Sequence, residues 1–423
     1  MQNRFAVVTA IAALAVPATL TLAQLTPPAG PVSDSFKSID EAEPRTPLVR
    51  SDVASAAIAI SAPGSYYLGE PIELPSLARF ANIPAPGDVT IDLNGFEINS
   101  PDNAGFMFNI APNGTPDPER PRTITIRNGT LTGGFATVTA PTSESLVIVL
   151  EDLVIKQPQQ VVNAQSATII MRRCTVTGPG VGVLAPNGNN CVFDDVTFDG
   201  FTGRVIHVNE SAQLSKVAIN QGATADNAAV DVGDGSRIEH TTIRNLSGPA
   251  ITTGNRPILS HVLVDTFGSN GSTMSGVTIG FQGNVSGCTF TDYRGSGTAV
   301  AGTSESVFRA IVIGNAQSST QAITIGNSSN ITGCMIDDAP IAIVALLDCI
   351  IRNNIAEASA TAIVASESCV IDLNKTLGDI VLSNGRNVVT RNTLSFGSIQ
   401  SSNPSNRIGP DDDVNSPWAN FTP

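Results

Sequence analysis

The stretch VTIDLNGFEI, Val89 to Ile98, sets branched apolar residues at alternate positions, breaks at Asn94-Gly95 and then resumes the alternation. Alternation of period two turns one face of a strand toward a core, and Asn-Gly suits a backbone of positive φ, so the segment reads as strand, corner, strand. The same design returns at Asn128-Gly129, between two further alternating runs. A chain built from such units calls for many short strands and little helix.

Composition points the same way. Of 423 residues, 41% are hydrophobic but only 14% are charged and 5% aromatic. Ser, Thr, Asn, Gly, Val and Ile dominate, which is strand and turn material. With one Trp (Trp418) and three Tyr (Tyr66, Tyr67, Tyr293), the chain has few flat apolar platforms on which sugar rings or bases stack. The formal net charge of −14 argues against nucleic acid, anionic lipid and polyuronate partners, unless a local basic patch or a bridging cation reverses the field.

An apolar, any, apolar triplet recurs along the chain. Its starts fall at Cys174, Val196, Val217, Thr241, Val262, Cys288, Ala310 and Cys334, and the register continues through Ile355 and Lys375-Thr376-Leu377. A period near twenty-two residues suits two solenoids. Leucine-rich repeats need leucine-dominated units with a helical or similar return, whereas the return segments here are again Val/Ile/Thr strands punctuated by Gly, Asn and Pro. The pattern predicts an all-β, single-stranded parallel β-helix of about fourteen coils, on the order of 65 Å long at the spacing of neighbouring strands. The third triplet members should point inward: Val176, Phe198, Ile219, Ile243, Val264, Phe290, Val312 and Ile336.

In GSYYL (Gly64 to Leu68), VTIDLNGFEI, TITIRNGTLTG (Thr123 to Gly133) and SPWANF (Ser416 to Phe421), the chain resembles secreted proteins with right-handed parallel β-helix repeats. These belong to the pectin-lyase-like superfold, and the likeness is to bacterial members of unassigned activity. It covers nearly all of the mature chain and implies a right-handed solenoid. It leaves the activity open, because that superfold hosts lyases, hydrolases, epimerases, adhesins and phage tail spikes alike.

The ends read differently. Arg4, the apolar run Phe5 to Val16 and the small-residue exit at Thr21-Leu22-Ala23 make residues 1–23 a secretory signal peptide. The expectation is a secreted, periplasmic or cell-surface protein that does not insert in a membrane once cleaved. Residues 24–55 form a Pro-rich linker and short N-terminal cap, with one helix over Ser33 to Glu43 that would cover the first rung. Residues 56–396 carry the solenoid, and 397–423 read as an irregular C-terminal tail.

Of six cysteines, Cys174, Cys288 and Cys334 open triplets, where a thiol packs inward as a small apolar group. Cys349 and Cys369 fall one coil apart, close enough for a disulfide but with parallel side-chain directions, so a bridge is left open. No CxxC or CxxH spacing suggests zinc. The calcium-binding nonapeptide is absent, and the only dense carboxylate turns, DVGDGS (Asp231 to Ser236) and PDDDV (Pro410 to Val414), read as solvated. No cofactor is expected.

Candidate chemistry gathers before the triplets. Arg173, Asp195, Lys216, His240 and His261 fall in one file, with Arg172, Asp194 and Glu239 in the position before it. Acid and base pairs are what glycan cleavage needs, so Asp194, Asp195, Lys216, Glu239, His240 and His261 are the catalytic candidates. The same spacing equally suits a structural ladder of corner side chains. Among catalytic signatures of the superfold, the galacturonan hydrolases' paired aspartates have counterparts at Asp194-Asp195 and Asp337-Asp338, but Gly-His-Gly and Arg-Ile-Lys are missing. The epimerases' Asp-Pro-His-Glu has only Asp117-Pro118-Glu119-Arg120 as a distant echo. The balance favours a non-catalytic surface, adhesion or glycan-binding module meeting an extended polysaccharide; the alternative is a polysaccharide lyase or glycoside hydrolase.

Overall fold

The computed structural model describes residues 45–409, except 50–56, 76–77, 101–104, 112–120, 141–145, 179, 223–226, 269–272 and 317–319. The signal peptide, the helix over Ser33 to Glu43, the Asp117 to Arg120 string, PDDDV and SPWANF all lie outside the described residues.

The described chain is a right-handed parallel β-helix of about fourteen turns, with no helix among the described residues. Every strand pairing is parallel, and each strand bonds to the equivalent strand one turn earlier and one turn later. A turn contributes three short strands. In mid-chain the first face holds Gln213–Ser215, Arg237–Glu239 and Ile258–Ser260; the second holds Ala218–Gly222, Thr242–Leu246 and Leu263–Phe267; the third holds Ile206–Val208, Val230–Val232 and Ile251–Thr253.

The core follows from stacking in register. On the first face Leu214, Ile238, Leu259, Val285, Phe308 and Ile331 pair successively, and all are fully buried. On the second, Val176, Phe198, Ile219, Ile243, Val264, Phe290 and Ile336 are buried as the repeat requires. Val312 is a correction: it is 39% exposed, and Ile313 beside it is buried and pairs with Phe290 and Ile336. The cause is Ala310. It sits not at the start of the triplet but at the corner itself, with φ 50°, where neighbouring turns place Gly287 and Gly333.

The corners explain how a chain with so few Asn-Gly pairs can turn so often. Left-handed residues punctuate the mid-chain turns at three corners, such as Lys216, Gln221 and Gly235, or His240, Asn245 and Arg256. Each bends the backbone without interrupting the ladder on either side, and residues with a Cβ accept the strain because the bonded coils above and below enforce it.

Asn354, Asn374 and Asn392 lie one residue past their corners and face inward, 0–1% exposed. The Asn374 Oδ1 accepts from the Asn354 backbone N–H at 3.0 Å and from Asn354 Nδ2 at 3.0 Å, and Asn392 serves Asn374 in the same way. This is a ladder bonded to corner backbone, which satisfies groups that the turn would otherwise leave unpaired in the core.

Stacking reaches beyond the sequence-based limits of the solenoid. Arg45–Leu48, in the stretch read as linker and cap, pairs with the Gly64–Leu68 strand. Ile399–Ser401 and Arg407–Ile408, in the stretch read as an irregular tail, continue the third and first faces. All six cysteines are buried thiols, Cys349 and Cys369 on adjacent turns. Burial pushes Cys174, Cys191, Cys288 and Cys334 up to about 11, so none is a nucleophile at neutral pH.

Candidate functional site

The six candidates occupy two adjacent outward files at the edge between the first and second faces. Asp195, Lys216, His240 and His261 hold successive left-handed corners, with φ between 48° and 56°. Asp194 and Glu239 end first-face strands and are separated by Ser215, one turn from each. All four corner side chains are exposed. The structure brings two together: the rings of His240 and His261 stack with centroids 5.0 Å apart and planes 1° from parallel.

Glu239 is committed to its neighbours. Arg237 Nη2 lies 2.7 Å from its Oε1, Ser260 Oγ donates to the same oxygen at 2.9 Å, and these bonds hold its carboxyl below the usual range. It therefore stays an anion and has no proton to give near neutrality. The members of the file line none of the three grooves described next.

Two of these grooves share the opposite kind of edge, between the second and third faces. A groove of about 440 Å³ crosses four turns whose corner residues are Gly133, Gln157, Gly178 and Gly200. Glycine at three of the four leaves the hollow, and Asn99, Thr132, Gln159 and Thr202 edge it with amides and hydroxyls. Among the described residues, no ionisable side chain lines it. Further along the same edge, a second hollow of about 340 Å³ is lined by Asn245, Ser247, Thr266 and Arg294 among others.

The third groove, about 370 Å³, lies on the third face and contains the one histidine absent from the sequence-derived candidates. His207 and Asp231 are paired in register on adjacent turns. Asp231 Oδ2 lies 2.9 Å from His207 Nδ1 and 3.6 Å from Arg204 Nη1, while Arg204 Nη2 donates to Asn227 Oδ1 at 2.7 Å. His207 first, and then Arg204, hold the Asp231 carboxyl below its usual range against the opposing effect of burial. Both carboxylates of the DVGDGS turn are thus engaged rather than solvated, Asp234 accepting from the Asn255 backbone N–H at 2.6 Å. The signal was in the sequence: His207 precedes Asp231 by one coil, but on a face that the triplet register did not track. Among the described residues, no group of three or more His, Cys, Asp or Glu side chains could hold a metal ion.

Fold and grooves define the class: a right-handed parallel β-helix with polar hollows along one edge and a charged pocket beside them. No protein-family model matches the chain, and no curated protein matches its sequence. Among solved structures it is similar to the catalytic domain of a GH87 α-1,3-glucanase in complex with nigerose, at 12% identity over 89% of this chain and 66% of that one, TM-score 0.25. It is also similar to the tailspike protein of E. coli bacteriophage HK620 in complex with a pentasaccharide, at 14% identity over 84% of this chain and 74% of that one, TM-score 0.26. A third likeness is the A-module of a mannuronan C-5 epimerase from Azotobacter vinelandii, at 11% identity over 84% and 96%, TM-score 0.16. The chain thus spans just under two thirds of the glucanase domain's length. Likenesses this remote carry no argument about activity.

Proposed function

We propose that the protein is an exported, non-catalytic rod that binds an extended, hydroxyl-rich glycan along the edge between its second and third faces. The carrying observation is the 440 Å³ groove floored by Gly133, Gly178 and Gly200 and edged by amides and hydroxyls. At about 4.8 Å per turn, successive turns present the amides and hydroxyls of Asn99, Thr132, Gln159 and Thr202 to a polymer of sugar units. The described residues that line the groove supply neither the carboxylate pair that hydrolysis uses nor the base that elimination needs, which supports binding over turnover. The acidic chain as a whole favours a polymer of low charge.

The test uses two substitutions that fill the floor without disturbing the backbone. Gly178 and Gly200 have φ of 65° and 72°, and an added Cβ meets nothing nearer than 3.6 Å and 3.7 Å respectively. Asn tolerates this conformation, and Gln157 already occupies the same file. Affinity electrophoresis against neutral and acidic polysaccharides should find a retained glycan, with retention lost in Gly178→Asn and Gly200→Asn at an unchanged thermal transition. Retention unaffected by both substitutions, or release of reducing ends or unsaturated products by the wild type, would overturn the reading.

A further inference from the structure

We propose that the third-face pocket around Arg204 and His207 binds a single carboxylate-bearing sugar, carried as a branch on the glycan that lies in the edge groove. The proposal rests on the reading of that groove as a glycan site. The two hollows adjoin along the chain: Gly180 and Thr202 line the groove, and Val181, Gly203 and Arg204 line the pocket. A substituent leaving a polymer in the groove therefore reaches the pocket within the width of one residue.

The chemistry of the pocket is asymmetric. Val181, Leu184 and Pro186 give it an apolar wall, against which the C–H face of a pyranose packs. On the other wall Asp231 Oδ2 lies close to both Arg204 Nη1 and His207 Nδ1, although the buried Nδ1 makes no aligned hydrogen bond. With Nδ1 turned to Asp231, the ring nitrogen left for a ligand is Nε2. Arg204 spends one terminal nitrogen on Asn227 and makes a long ion pair to Asp231 with the other; its Nε edge has no protein acceptor among the described residues. A guanidinium presenting a free edge matches a planar carboxylate better than a neutral hydroxyl. Asp231 limits the ligand charge: its carboxylate already lies beside Arg204, so a monoanion adds one negative charge opposite the guanidinium, whereas a dianionic phosphate would add two next to an ionised carboxylate.

The two sites separate experimentally. Methyl glucuronoside and methyl glucoside, titrated into the full chain by calorimetry or followed by ligand-observed NMR, differ only at the carboxylate. The wild type should bind the glucuronoside at least tenfold more tightly. Arg204→Gln should abolish that preference, and Arg204→Lys, which keeps the charge but loses the planar fork, should reduce it several-fold with the fold intact. Gly178→Asn should leave monosaccharide binding unchanged while removing polymer retention. A wild type that binds both glycosides equally or neither, or an Arg204→Gln variant that keeps the preference, would overturn the proposal. Failure of the groove reading alone would show instead as polymer retention insensitive to Gly178→Asn.

Discussion

The imidazole of His240 lies flat against that of His261, with ring centroids 5.0 Å apart on consecutive left-handed corners. The stack follows from the backbone, since two equal corners one coil apart project equal side chains in parallel. At φ 48° a glycine relieves strain that any other residue carries. His240→Gly should therefore stay within about 0.5 kcal/mol of wild type, the relief offsetting the added chain entropy of glycine. His240→Ile should cost about 1–2 kcal/mol, because a β-branched side chain is least at ease in that conformation. Urea denaturation of both variants checks this, and a large loss in His240→Gly would show that the imidazole itself holds the corner.

Val312 and Ile313 discriminate the inward register by charge. Ile313→Asp buries an unpaired carboxylate and should abolish cooperative folding or lower stability by more than about 4 kcal/mol. Val312→Asp, at a 39% exposed position, should change stability by no more than about 1 kcal/mol. Circular dichroism melts of the two variants should differ accordingly.

Asn374 stands in the middle of the buried amide ladder. Its Nδ2 donates to Ile351 O at 2.9 Å and to Asn392 Oδ1 at 3.0 Å, while its Oδ1 accepts from Asn354. Asn374→Ala strands several of these partners in the core and should cost about 2–4 kcal/mol. Asn374→Asp should be worse, since it adds a buried charge. Hydrogen exchange should report the loss first at the amide of Asn354, whose backbone N–H bonds to Asn374.

Asp372 predicts acid sensitivity. Burial would raise its pKa, but Arg391 at 2.6 and 2.9 Å, Thr390 at 2.9 Å and the charge of Arg352 outweigh it and hold the carboxyl below its usual range. A carboxyl depressed in the folded state contributes stability that is complete above its unfolded value, about 3.9, and is lost as pH falls through the folded one. Asp372→Asn should weaken the protein by about 3 kcal/mol at pH 7. The gap from wild type should narrow as the pH is lowered below about 4, read from denaturant midpoints along a pH series.

The coil, its three faces and seven of the eight second-face core positions were legible because side-chain alternation is forced by strand geometry. Ala310 was not, because nothing in the sequence marks an alanine for a left-handed corner that the neighbouring turns impose on it. The edge file of Asp195, Lys216, His240 and His261 was placed in the right order by spacing. Spacing carries no information on concavity, however, and the 440 Å³ groove lies at another edge, where Gly133, Gly178 and Gly200 lack side chains. His207 escaped notice because its partner Asp231 lies 24 residues away on the third face, and that separation means contact only once the coil is known.

The left-handed corners have a consequence for descent. Along one edge the bend is made by Asp195, Lys216, His240, Ala310, Leu373 and Arg391 with nearly the same φ. Cation, anion, aromatic ring and aliphatic chain are interchangeable there, since the neighbouring rungs impose the geometry and the side chain only decorates it. Lineages of such a rod are free to rewrite what the edges display, one substitution at a time, while the interior stays untouched. What the edge displays and what holds the coil are then inherited on separate positions of the same chain.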